Sequence, residues 1–218
     1  MDSHDSPGWL VLDGYEDEPA AFGVPPYVGF HIRYLCGVLE QQGIPYTYMT
    51  VDQWRQWLKK DGDAAQQWMK GIDGVACIAG AVVPGRYLRG TPISLNETQQ
   101  LIRMIPGGIP GLFGGWAIRG WRQQGWNPLR PNLFLAVQDT DATLDGFLRN
   151  GEWKHARRTG EQWTAWAQAG ASSKAVLHHP DLGTEERPGP LTYEVEVYQG
   201  CVRSVSYTHL RAHETDSY

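Results

Sequence analysis

Five short apolar runs, most of them followed by an amphipathic stretch and bounded by glycine or proline, limit the folds open to this chain. Trp9-Leu-Val-Leu12 is too short and too uniformly apolar for a helix, and Asp13-Gly14 ends it as a turn. Residues 27–42 carry Ile32, Leu35, Cys36 and Leu39 at helical spacing, with Gly43 placed to cap the end. Residues 46–49 read as a second strand. Residues 51–58 read as a short helix capped by Thr50 or Asp52, with Trp54, Trp57 and Leu58 on one face. A third strand is expected over 74–79. The helix after it is capped by Thr91 or Ser94 and buries Leu95, Leu101, Ile102 and Ile105. Strands are expected over 110–113 and 133–137, the first running into Gly114-Gly115. A helix from Asp139 or Thr140 carries Leu144, Phe147 and Leu148, and a last helix over 161–169 groups Trp163, Trp166 and Ala167.

Strand and helix alternating through short connections require a parallel sheet with helices on both faces. The expected fold is therefore a Rossmann-like α/β domain over 8–170, after a flexible start over 1–7. Ligands of such sheets collect beyond the carboxyl ends of the strands, which points to the loops 13–27, 80–92 and 114–125. Within them Asp13, Gly14, Gly80, Gly114 and Gly115 are the candidate cofactor-binding residues, because glycine lets backbone N–H groups approach a phosphate or a similar group. Neither a dinucleotide fingerprint nor a P-loop occurs. Glu16, Asp17 and Glu18 add an acidic loop, either a solvated turn or a surface facing a cation.

Composition excludes several classes. With 41% apolar and 20% charged residues the chain is neither disordered nor fibrous. A formal charge of -5 argues against a nucleic-acid partner, and the short basic run at 154–158 reads as a solvated face. No apolar stretch approaches the ~18 residues of a membrane span. The start lacks the basic and apolar regions of a secretory signal, and three scattered cysteines make no disulfide framework. A reduced, cytoplasmic protein with a small-molecule substrate is expected.

Beyond residue 170 the pattern changes. A Gly/Pro/Glu-rich connector over 171–190 leads to Tyr193-Glu-Val-Glu-Val-Tyr198, an alternating strand with no partner downstream, and then to Gly200-Cys201. Leu191-Thr-Tyr-Glu-Val-Glu-Val-Tyr-Gln-Gly-Cys-Val-Arg203 resembles the entry to a radical S-adenosylmethionine (SAM) domain. The resemblance is to the family with an N-terminal cobalamin-binding-like domain, whose first barrel strand reads Glu-x-Glu-x-Tyr-x-Gly-Cys-x-Arg. It extends upstream through Asp13-Gly-Tyr-Glu-Asp-Glu-Pro19, Gly23-Val-Pro-Pro-Tyr27, Arg33-Tyr34 and Gly37. It continues through Gly80-Ala-Val-Val-Pro-Gly-Arg-Tyr-Leu-Arg-Gly-Thr-Pro-Ile93, Gly114-Gly115, Trp166-Ala167 and His179-Pro-Asp181.

The resemblance implies an enzyme whose intact form cleaves SAM at a [4Fe–4S] cluster, producing a 5′-deoxyadenosyl radical, with Cys201 as the first metal ligand. Residues 191–203 would be the first strand and cluster-loop start of that barrel. The two further cysteines of the family pattern are missing after Cys201, so this chain is expected to be inactive alone. Residues 204–218 resemble translated sequencing-adapter readthrough and are expected to be non-native. The cobalamin-ligating Asp-x-His-x-x-Gly is absent, since the loop reads Asp13-Gly-Tyr-Glu-Asp-Glu, and His31 reads as a packed or surface residue. Cobalamin therefore stays open as a cofactor. The rival reading is a non-catalytic α/β ligand-binding module. A methylthiotransferase-like enzyme would need a third cysteine beside Cys36 and Cys77 in this domain.

Overall fold

A computed structural model describes residues 7–15, 28–80, 91–128 and 130–173. Five strands form one sheet: β1 (Trp9–Gly14), β2 (Tyr46–Thr50), β3 (Gly74–Ala79), β4 (Gly111–Gly114) and β5 (Leu133–Leu135). All pairings are parallel and the order is β2-β1-β3-β4-β5. This is the Rossmann-like α/β architecture that the alternating pattern requires. Trp9 lies opposite Tyr46 on one side and Gly74 on the other, so β1 is paired along both edges.

Successive side chains of β1 point to opposite faces and seed two separate cores. Leu10 and Leu12 join Val75, Cys77 and Phe113 beneath α2 (Val51–Met69), α3 (Leu95–Met104) and α4 (Trp116–Gln123). Trp9 and Val11 join Ala76, Ile78 and Leu112 beneath α1 (Phe30–Gln42), α5 (Thr140–Asn150) and α6 (Gly160–Ala171). Every residue of β1 and β3 is buried, which is why these strands read as unbroken apolar runs rather than as alternation. Each fully buried large side chain contributes roughly 1.5–3 kcal/mol of hydrophobic stabilisation.

Local chemistry sets the helix starts. Thr50 with Gln53, Ser94 with Glu97 and Thr159 with Gln162 each form a reciprocal capping box, satisfying two backbone N–H groups apiece. Thr50 and Ser94 thus settle the two cap choices left open by the sequence. Gly43 caps α1 at φ 64°, a left-handed position suited to glycine.

Two elements differ from expectation. The helix expected over 51–58 continues to Met69 because Asp61, at φ -156° and ψ 81°, interrupts it and its carboxylate then accepts the Ala64 N–H. The segment is two helices in series, and Lys-Lys-Asp-Gly-Asp is their junction rather than an end. Helix α4 fills a stretch read from sequence only as loop; Ala117, Ile118 and Trp121 bury its one apolar face. Helix α6 still includes Ala171, the first residue of the connector expected over 171–190; the rest of that connector from residue 174, the barrel strand, Cys201 and the tail lie outside the described residues.

Helix α6, last in the described chain, packs on α1 through glycines. A Cβ at Gly37 would run into the Trp166 carbonyl, and one at Gly170 into the Arg33 carbonyl. Trp163 Nε1–H donates to the Tyr34 hydroxyl across the same contact. Gly37→Ala is therefore expected to destabilise the fold by roughly 1–3 kcal/mol through overpacking. Gly146→Ala, in α5 where a Cβ meets nothing within 4 Å, is expected to stabilise by roughly 0.5–1 kcal/mol. Urea-denaturation midpoints of the two variants check both signs.

Candidate functional site

The order β2-β1-β3-β4-β5 reverses direction between β1 and β3, and in open α/β sheets that reversal opens a crevice at the carboxyl edge. Asp13 and Gly14 end β1 there, and Ala79 and Gly80 end β3 beside them. The adjoining stretches 16–27 and 81–90, including acidic Glu16, Asp17 and Glu18, lie outside the described residues.

Asp13 is 5% exposed and works inside the protein. Its Oδ1 accepts the Tyr15 N–H at 2.9 Å and its Oδ2 accepts the Tyr48 hydroxyl at 3.0 Å. Burial and the Asp13 carboxylate together hold the Tyr48 hydroxyl protonated, far above its ordinary pKa. Tyr15 has φ 59°, a left-handed conformation costly for a bulky residue. Two anchors hold it there: the Asp13 carboxylate at its N–H and Asp52, which accepts its hydroxyl at 3.1 Å.

Asp52 passes the network to Arg55 at 2.8 Å. The Arg55 guanidinium grips both oxygens of Glu97 at 2.6 and 3.0 Å and donates to the Thr91 and Pro92 carbonyls at 2.6 and 3.2 Å. One side chain on α2 thereby fixes the backbone entering α3, and the Ile93 N–H bonds the Gly14 carbonyl at 3.0 Å. Tyr15, Tyr48 and Arg55 were not singled out from sequence. The Asp52–Arg55 spacing hints at a pair, but the Glu97 contact spans 42 positions and has no local signal.

The glycine candidates converge on this edge, and each is filled by protein on its side-chain side. A Cβ at Gly14 would strike the Ile78 carbonyl and Ile93. At Gly80 it would strike Pro92, at Gly114 Thr140, and at Gly115, where φ is 100°, the Ala79 carbonyl. Close approach of neighbouring segments thus explains glycine at these positions without a ligand.

The described residues do not fit an iron–sulfur cluster. Cys36 and Cys77 are wholly buried on opposite faces of the sheet, one in each core. Burial pushes the Cys36 thiol up to about 12 and raises that of Cys77 as well, so neither offers a thiolate. Among the described residues no group of three His, Cys, Asp or Glu could hold a metal ion. Among the described residues the edge glycines Gly14, Gly80, Gly114 and Gly115 leave no open cradle for cobalamin on their side-chain sides. His31 packs against Phe30 with ring centroids 3.9 Å apart. Burial, then Arg158, lowers its pKa to about 3, leaving a neutral imidazole.

On the α1/α5 face Arg158 and Asp141 form a buried ion pair at 2.8 Å, their side chains 8% and 3% exposed. The Arg158 N–H donates to Asp139, and its guanidinium lies 4.8 Å from the Tyr34 ring centre. The basic run at 154–158 is therefore not a uniformly solvated face. Lys154 is exposed beside Glu152, whereas the Arg158 side chain is buried against Asp141. Burial raises the Asp141 pKa even against the pull of Arg158, so the pair fixes geometry more than it adds stability.

No family model matches the chain. It is 30% identical over 207 residues to an uncharacterized protein of Methanocaldococcus jannaschii, covering 90% of this chain and 36% of that one. It is 40% identical over 191 residues to an uncharacterized protein of Archaeoglobus fulgidus, covering 88% of this chain and 32% of that one. The chain thus spans about a third of the curated relatives it matches. Among solved structures it is similar to TsrM, a radical SAM methyltransferase from Kitasatospora setae with cobalamin and a [4Fe–4S] cluster bound. That likeness has 14% identity and a TM-score of 0.37, covering 88% of this chain and 30% of the other, and bears on neither fold nor activity. No described helix is long and apolar enough to cross a membrane.

The Arg55 grip, with the Ser94 N–H and hydroxyl, pulls the Glu97 carboxyl down to about 2 from 4.5. A depressed folded-state pKa stabilises above the unfolded value and is lost as pH falls from about 4.5 towards about 2. Both partners are partly solvated, so the contribution is at most about 1 kcal/mol. Glu97→Gln keeps the capping geometry but not the charge. It should lower the denaturation midpoint at pH 6 and leave it near wild type at pH 2.

Proposed function

We propose that this chain is part of a longer radical SAM enzyme, and that its α/β domain presents the carboxyl edge of β1, β3 and β4 to a cofactor or substrate. The observation that carries the reading is convergence. Asp13-Gly14, Gly80 and Gly114-Gly115 belong to the segments that resemble the family, are scattered over about a hundred positions, and meet on one edge beside the β1/β3 crevice. That the chain spans only about a third of its curated relatives also favours a longer parent.

The domain's own contribution is positional. Asp13, Tyr15, Asp52, Arg55 and Glu97 tie β1, α2 and the start of α3 into one rigid rim. Because the described residues supply no cluster ligands, a cluster would depend on Cys201 and on cysteines beyond this sequence. The competing reading, a non-catalytic ligand-binding module, draws on the completeness of the described core, in which each edge glycine is explained by packing.

The experiment uses the reading frame extended at its native locus. Anaerobic iron–sulfur reconstitution of the 218-residue chain should give no stable [4Fe–4S] signal by electron paramagnetic resonance. The extended protein should form the cluster and release 5′-deoxyadenosine from SAM, and Cys201→Ala should abolish both. A native frame that ends soon after Arg203 without further cysteines would instead establish the module, and an extended Cys201→Ala enzyme that still cleaves SAM would refute the assignment.

A further inference from the structure

At the β4/β5 end of the same edge, α4 and the connection from β5 to α5 enclose an open pocket of about 460 Å³, lined by Arg119, Arg122, Gln123, Val137, Gln138 and Arg157. Its size suits a small ligand. Three guanidiniums share one opening, and no carboxylate is among the lining residues. This is notable in a chain of net charge -5, where acidic side chains outnumber basic ones by 24 to 19. Like charges gathered in this way repel, and among the described residues none of the three is in an ion pair with a carboxylate.

The three arginines are not equivalent. Arg119 is tethered: it donates to the Val137 carbonyl at 2.6 Å and lies 4.8 Å from the ring centre of Trp116, itself half exposed. Arg122 and Arg157 come from different elements, α4 and the stretch before α6, and are exposed. The two glutamines bring neutral amides that can donate or accept. A planar guanidinium fork is the side chain best matched to the paired oxygens of phosphate or carboxylate.

We propose that this pocket binds the oxyanion group of a small ligand, phosphate or carboxylate, through Arg119, Arg122 and Arg157. The site does not depend on the radical SAM reading, since it is built wholly from described residues and needs no metal. A nucleic-acid partner would call for an extended basic stripe with interleaved aromatics, whereas the arginines here surround one opening and Lys154 is paired with Glu152.

Inorganic pyrophosphate and citrate are the two probes, titrated calorimetrically into the 218-residue chain at low ionic strength. Saturable one-site binding by at least one is expected, weakening as salt rises. The more strongly bound probe tells phosphate from carboxylate. The double variant Arg122→Gln/Arg157→Gln should weaken that binding about tenfold or more while leaving the thermal midpoint unchanged, because both side chains are exposed. Arg122→Lys/Arg157→Lys, which keeps charge but loses the fork, should fall between. Absence of saturable binding, or equal affinity in the glutamine variant, would overturn the proposal. So would binding of a single-stranded oligonucleotide that the glutamine variant abolishes and neither probe displaces.

Discussion

Burial of β1 and β3 on both faces is the constraint from which the remaining structure follows. Neither strand has a solvated side, so their polar backbone groups must be satisfied within the sheet and their side chains must be apolar. Charge is thereby kept from the middle of these two strands, and in β1 it stands at the carboxyl end. Asp13 is the first ionisable residue of β1 and stands at its carboxyl end, already committed to Tyr15 and Tyr48. The Tyr15–Asp52–Arg55–Glu97 chain then extends that edge outward, and Asp141–Arg158 does the corresponding job on the opposite face.

Rigidity at this rim bears on the proposed function. Arg55 satisfies five acceptors with one guanidinium, and two of them are the Thr91 and Pro92 carbonyls that begin the approach to α3. The described backbone beside the β1/β3 crevice is thus held by the α2 side chains Asp52 and Arg55 together with the Asp13–Tyr15 turn and the Ile93–Gly14 backbone bond. A site framed in this way can keep its geometry while the segments between the anchors vary in sequence, the usual division of labour between scaffold and loop.

The sheet was legible because its signals are local. Short apolar runs, Gly43 and the Thr50 and Ser94 caps lie within a few residues of what they determine. Helix α4 was hidden because glycines flank it and only three buried side chains mark its face. The continuation of α2 was hidden because Asp61 both breaks one helix and starts the next. Candidate residues were legible as types but not as roles: Gly80 and Gly115 looked like ligand loops, yet their missing Cβ atoms make room for Pro92 and Ala79. Arg55, Arg158 and the arginine pocket each unite residues distant in sequence, and no spacing rule could have joined them.

In the proposed function the carboxyl edge around Asp13 and Gly80 is the side this domain turns towards a ligand in a longer enzyme. An anaerobic crystal structure of the protein extended at its native locus, grown with SAM and hydroxocobalamin, tests it most directly. The added domain, or a ligand held between the two, is expected to cover the crevice between the ends of β1 and β3. An added domain docked on the amino edge of the sheet or on the outer helices, leaving that crevice open to solvent, would contradict it.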